Sequence, residues 1–215
     1  MRRAHRTGYF IHHTPGGRRR ESPMEVYQVL QFLHILAVVF MAAPLYNLIV
    51  VNERVRFGKA HLEVDQYFES IIRGNSTRCY IYQLTALVTG LLLVALRGSV
   101  LALVTNWVLL AKLILLLALM GLLSVVHFSL QPGIDRLLAQ AQGEAIPQPI
   151  AAQIAPLRLR RKRLASVCLF LVIVTVLLGL QVFSPFWAPV TLILILGAAL
   201  FAWRVYRTPI PYGWA

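Results

Sequence analysis

The sequence predicts an all-α polytopic membrane protein, a bundle of about five membrane-spanning helices with one interfacial amphipathic helix. Composition, run length and the placement of charge all point there. Hydrophobic residues make up 58% of the 215 and charged residues 13%, against roughly 45–50% and about 25% in a soluble domain, so much of the apolar surface has to face lipid. Five runs are long enough to cross hydrocarbon, which takes about 20 apolar residues per helix. The basic residues gather between those runs, where a polytopic chain meets anionic headgroups. The excess of 21 Lys+Arg over 8 Asp+Glu therefore marks a lipid-facing protein. It does not indicate a nucleic-acid binder, which would carry a basic face on a folded soluble domain.

Residues 1–23 form a basic tail punctuated by Gly and Pro, a composition that buries too little surface to fold alone. Met24 stands immediately before the first apolar run and is an alternative start to Met1. Residues 24–207 then form a single transmembrane domain, and 208–215 a short C-terminal tail. The spans are Tyr27–Val51, Cys79–Leu96, Val100 or Trp107 to Leu130, Leu164–Phe183 and Pro189–Val205. In lipid each must satisfy its own backbone hydrogen bonds, which Leu/Val/Ala-rich runs do as helices. SPFWAP makes a tight hairpin of the last two. Trp187 and Phe186 there, with Trp203 and Tyr206 at the far end, have the character of an aromatic belt.

Two longer connections remain. In Leu62–Arg73, Val64, Phe68, Ile71 and Ile72 share one helical face, with Asp65, Glu69 and Arg73 elsewhere. That pattern predicts a short helix lying on the membrane surface. The second connection holds the weakly amphipathic IDRLLAQAQ, a Pro/Gln-rich tract and then the basic RLRRKR (Arg158–Arg163). With five spans, both connections and the C-terminus share a side that carries thirteen Lys/Arg, against seven opposite. By the excess of basic residues in cytoplasmic loops, this places the N-terminus outside and the C-terminus in the cytoplasm. Cys79 and Cys168 begin their spans on the reducing side, in no metal-binding or redox spacing.

Polar residues inside the spans are the candidate site. His34 lies about seven residues into the first span and Lys112 about five or six into the third, a depth of about 8–11 Å for both. Gln31 shares the face of His34, and Gln181 of the fourth span falls at a similar depth. His127 belongs to another layer, about 22 Å further along the third span, near Asn47, Tyr82 and Gln83. Lys112 in lipid costs about 2.5–3.5 kcal/mol; it either snorkels to the headgroups or pairs with an anionic ligand such as a carboxylate. His34 is either a ligand or proton-handling group, or a hydrogen-bonding partner between helices. Ala86–Gly90 and Thr175–Gly179, small residues four apart, favour close helix approach. No Asp or Glu stands in any span.

The first and third spans resemble a known group. VLQFLHILAVVFMAAPLYNLIV, through Leu33, His34, Ile35, Ala37, Val38 and Pro44, is similar to the opening helix of the HemJ-type protoporphyrinogen oxidases and the related CopD-like bacterial integral membrane proteins. WVLLAKLILLLALMGLLSVVHF resembles that group's Trp–Lys–Leu run ending in a histidine, through Trp107, Lys112, Leu113 and His127. The likeness extends over about residues 25–184. Gln31 stands where the HemJ type has lysine and Leu45 where it has arginine, and its Asn-Glu-x-Pro signature is missing, so the broader CopD-like group fits more closely.

The resemblance implies a multi-pass protein of the bacterial inner membrane that binds b-type heme and takes part in electron transfer or porphyrinogen oxidation. His34 would be the heme ligand and Lys112 the partner of a porphyrin propionate. A second ligand from His127 is awkward because of its different layer. Two rival readings follow from the chain itself. One is a non-catalytic accessory or assembly subunit of a larger respiratory or photosynthetic membrane complex. The other is a small transporter or copper-handling protein, which the scattered methionines Met1, Met24, Met41 and Met120 do little to support.

Overall fold

The structure, a computed structural model, describes residues 23–53, 62–141, 143, 145–183 and 187–207, with side chains except at 23, 44–53 and 183. The tail 1–22 with His5, His12 and His13, Phe186, the C-terminal tail 208–215, and the side chains of Pro44 and Asn47 lie outside the described residues. Those described form seven helices and no strand: α1 (Pro23–Glu53), α2 (Leu62–Leu96), α3 (Ala102–Thr105), α4 (Trp107–Val125), α5 (Gln131–Leu138), α6 (Gln148–Phe183) and α7 (Ala188–Arg207). Five are long and apolar enough to cross a membrane; α4 does so together with α5, as one rod Trp107–Leu138. The protein is a multi-pass helical bundle.

The third span starts at Trp107 because Asn106 caps it. The Asn106 side-chain oxygen accepts from the amides of Val108 at 3.0 Å and Leu109 at 3.4 Å, two of the donors a helix start leaves without partners. Between α4 and α5 the rod widens into a π-helical turn, Val126–Leu130. Pro132 follows at once. It has no N–H and its ring crowds the preceding turn, which is where a hydrogen-bond ladder shifts register.

The two connections differ most from expectation. Leu62–Arg73 is helical and amphipathic, but it does not lie apart on the membrane surface. It continues straight into the second span as one 35-residue helix. Its buried face is also turned from the expected one, toward the acids and sharing only Ile72 with it. Leu62, Asp65, Glu69, Ile72, Ser76, Cys79, Gln83 and Ala86 are buried, at alternating steps of three and four residues, the spacing of a helix–helix seam. Val64 and Tyr67 are exposed. The acids turn inward because the fourth span is likewise longer than its apolar part. Gln148–Arg163, including the Pro/Gln-rich tract from Gln148 onward and Pro156, is helix, and it delivers Arg158 and Arg161 to them.

These extensions and α5 form a head beyond the apolar runs. Its core is Leu62, Ile134, Leu138 and Ile154, and beside it lies a buried ion network. Glu69 accepts from Arg158 Nε at 3.1 Å, from Arg161 at 2.5 and 3.0 Å, and from Gln131 at 3.1 Å. Asp65 pairs with Arg158 at 2.5 Å, and Arg161 also donates to the Gln131 carbonyl oxygen at 2.7 Å. Buried charges persist only when paired and hydrogen-bonded in this way. Arg73 adds a more exposed bridge to Asp135 at 2.8 Å.

Candidate functional site: an intramembrane cavity

Four spans line a half-open cavity of about 350 Å³, to which α3 adds Ala102 and Leu103. Its wall is mostly apolar, with Ile35 and Val38 from α1, Leu87 and Leu91 from α2, Leu109 and Leu113 from α4, and Val182 from α6. Met41 and Leu116 close the inner end. They belong to a buried cluster with Cys79, Leu119, Cys168 and Val172, in which both cysteines are free thiols. Tyr27, Arg97, Ser99 and Asn106 line the opposite end, with the Arg97 guanidinium 5.9 Å from the centre of the Tyr27 ring, within cation–π range.

His34 and Lys112 both line this cavity, and Gln31 joins them one turn from His34. The imidazole packs against α2 at Gly90. A Cβ added there would stand 3.1 Å from His34 Cε1 and 3.6 Å from Nδ1, so any other residue would press the ring out by a few tenths of an ångström. His34 Nδ1 lies 3.0 Å from Thr89 Oγ1. Lys112 reaches across to α6, where a Cβ on Gly179 would meet its Nζ at 3.5 Å. Thr175, one turn before Gly179, also lines the wall. The first small-residue pair therefore does more than let helices approach. Gly90 makes room for the histidine, whereas at Gly179 a Cβ would only reach ordinary contact with the lysine.

The electrostatics have one sign. No Asp or Glu lines the cavity, and Lys112 makes no hydrogen bond or ion pair with any described residue. An ammonium in an apolar wall with no counter-charge calls for an anion from outside the chain. Among the described residues no group of three or more His, Cys, Asp or Glu could hold a metal ion. What the cavity offers is one imidazole and one ammonium on an apolar wall, with Gln31 beside the imidazole and the Arg97 guanidinium, Tyr27, Ser99 and Asn106 at one end.

His127 does not join them. It sits in the π-helical turn at the far end of the third span, its ring edge-on to Tyr80 at 5.7 Å and to Phe128 at 4.9 Å. Its Nδ1 is buried without a partner. The residue of the second span that meets it is Tyr80, which bonds Ser124 at 2.7 Å; Tyr82 instead stacks on Phe40. Gln181 does not line the cavity and donates to Thr191 at 2.5 Å, tying α6 to α7. Sequence reasoning passed over Thr89, Tyr27 and Arg97. A threonine between Ala86 and Gly90 on the helix facing His34 was the available signal for the first.

No family model, curated protein or solved structure matches this chain.

Proposed function

We propose that this multi-pass membrane protein binds a carboxylate-bearing tetrapyrrole, b-type heme, in the cavity, where His34 would ligate the iron and Lys112 would pair with a propionate. The observation that carries the reading is the meeting of an imidazole and an unpaired ammonium in one apolar pocket without an acid. The donor set suits the group. A single histidine is a sufficient protein ligand for heme iron, and the volume lies in the range of about 300–1,000 Å³ usual for ligand pockets. The resemblance of the first and third spans to HemJ-type and CopD-like proteins agrees with it. Such a group would supply one-electron chemistry. The chain's own residues would hold it, His34 and Lys112 from an apolar wall with Gly90 leaving room for the imidazole, and we assign electron transfer as the activity first and porphyrinogen oxidation second. The basic residues clustered in the head support a cytoplasmic side for it.

A reduced-minus-oxidised absorption spectrum of detergent-purified, heme-supplied protein tests this. The expected result is a Soret shift with a sharp α-band that disappears in His34→Ala and weakens in Lys112→Met. A flat spectrum from folded protein overturns it.

One observation favours a second reading, an accessory subunit of a larger membrane complex. Helix α7 packs chiefly on α6 and leaves Leu192, Ile193, Leu196 and Leu200 exposed, a face for lipid or for a partner's span. That reading expects a colourless protein recovered together with other membrane chains.

A further inference from the structure

The hydrogen bonds around His34 decide which of its nitrogens is free, and α2 supplies them from Thr89 and from the Ala86 carbonyl. A threonine hydroxyl has one proton. In Thr89 it has a near acceptor on its own helix, the Thr85 carbonyl at 2.6 Å, and a longer one, the Ala86 carbonyl at 3.3 Å. Back-bonding of this kind is usual for threonine within a helix. With the proton directed there, Oγ1 presents only lone pairs to His34 Nδ1 at 3.0 Å, and Nδ1 must be the donor. A neutral imidazole carries a single N–H. Its Nε2 is then bare. The ring's Nδ1–Cε1 edge lies against Gly90, which turns Nε2 away from α2.

We propose that Thr89 is the positioning residue that holds neutral His34 as its Nδ1–H tautomer, so that Nε2 offers a lone pair to the cavity. The site then takes a ligand that brings a metal ion or an N–H or O–H donor to His34 and an anionic group to Lys112. A ligand whose carbonyl needs a donor from His34 is not accommodated by this tautomer. This deepens the heme reading and rests on it for the ligand, but the tautomer is a property of the empty protein. Orientation of a ligating imidazole through its other nitrogen is the general means by which a protein fixes tautomer and basicity.

The experiment is nitrogen–proton correlation spectroscopy of full-length, heme-free protein labelled with ¹⁵N-histidine, at a pH where imidazole is neutral. His34 is assigned by its loss in His34→Ala. The expected result is a protonated Nδ1 in the natural protein and in Thr89→Ser, which keeps the hydroxyl, and a shift toward Nε2–H in Thr89→Val, which removes it. An Nε2–H signature in the natural protein overturns the proposal whatever the variants do, and so does an unchanged Nδ1–H in folded Thr89→Val. Heme uptake is scored separately from the difference spectrum. An Nδ1–H signature without uptake would sink the heme reading and leave this one standing. Uptake by a protein whose empty form shows Nε2–H would do the reverse.

Discussion

Glu69→Ala is the perturbation for which the structure forecasts the largest loss of stability. Glu69 is 1% exposed and is the hub of the head network. It accepts four hydrogen bonds, from Arg158, from Arg161 twice and from Gln131. Its removal leaves two arginines, each also 1% exposed, with Asp65 as the remaining acid of the cluster. Removing one partner of a buried pair costs about 3–5 kcal/mol, because the surviving charge stays buried and uncompensated. At about 2–4 °C per kcal/mol for a chain of 150–250 residues, the midpoint of thermal unfolding in detergent should fall by roughly 6–20 °C. The double variant Glu69→Ala/Arg161→Met removes the orphaned cation as well and should recover part of that loss, with a coupling of about 1–3 kcal/mol. A fall of less than about 2 °C in the single variant, or no recovery in the double, would refute the claim that this network holds α2, α5 and α6 together.

Gly90→Ala should cut heme occupancy of the purified protein several-fold, since the new Cβ would stand 3.1 Å from His34 Cε1. Gly74→Ala, with nothing within 4 Å of its Cβ, should leave occupancy alone and raise stability by about 0.5–1 kcal/mol. Thermal unfolding and the pyridine hemochrome assay separate the two. Lys112→Met should move two quantities in opposite directions. Stability rises because an unpaired ammonium leaves an apolar wall, while affinity for an anionic porphyrin falls about tenfold or more, the equivalent of losing a charged hydrogen bond of about 1.5–3 kcal/mol; fluorescence titration with zinc protoporphyrin reads the second. His127→Phe, placed in the other layer beside Tyr80 and Phe128, should leave the reduced-minus-oxidised spectrum unchanged, and a lost α-band would return His127 to the site.

The spans were legible because hydrocarbon imposes a one-dimensional rule, a continuous apolar run of sufficient length, and each run can be read without knowing its neighbours. The depth of a polar residue was legible for the same reason. Counting residues from the start of each span put His34 and Lys112 in one layer and His127 in another, and the cavity holds the first two and not the third. The head was misread where that rule stops. In Leu62–Arg73 the apolar Val64 and Ile71 invited a membrane-facing side, and Asp65 and Glu69 a wet one. Arg158 and Arg161, about ninety residues further along, reversed that assignment.

By itself the sequence determined an all-helical bundle of five membrane spans, since each span answers to the bilayer and not to a partner. Tertiary structure decided everything that depends on two helices meeting. It turned the acids of α2 inward, because α6 brings buried arginines to them. It made Gly90 the space for His34, because only a facing side chain shows what a missing Cβ is for. And it gave Thr89 its hold on His34, because a hydrogen bond between residues 55 apart in sequence is a property of packing, and no local pattern encodes it.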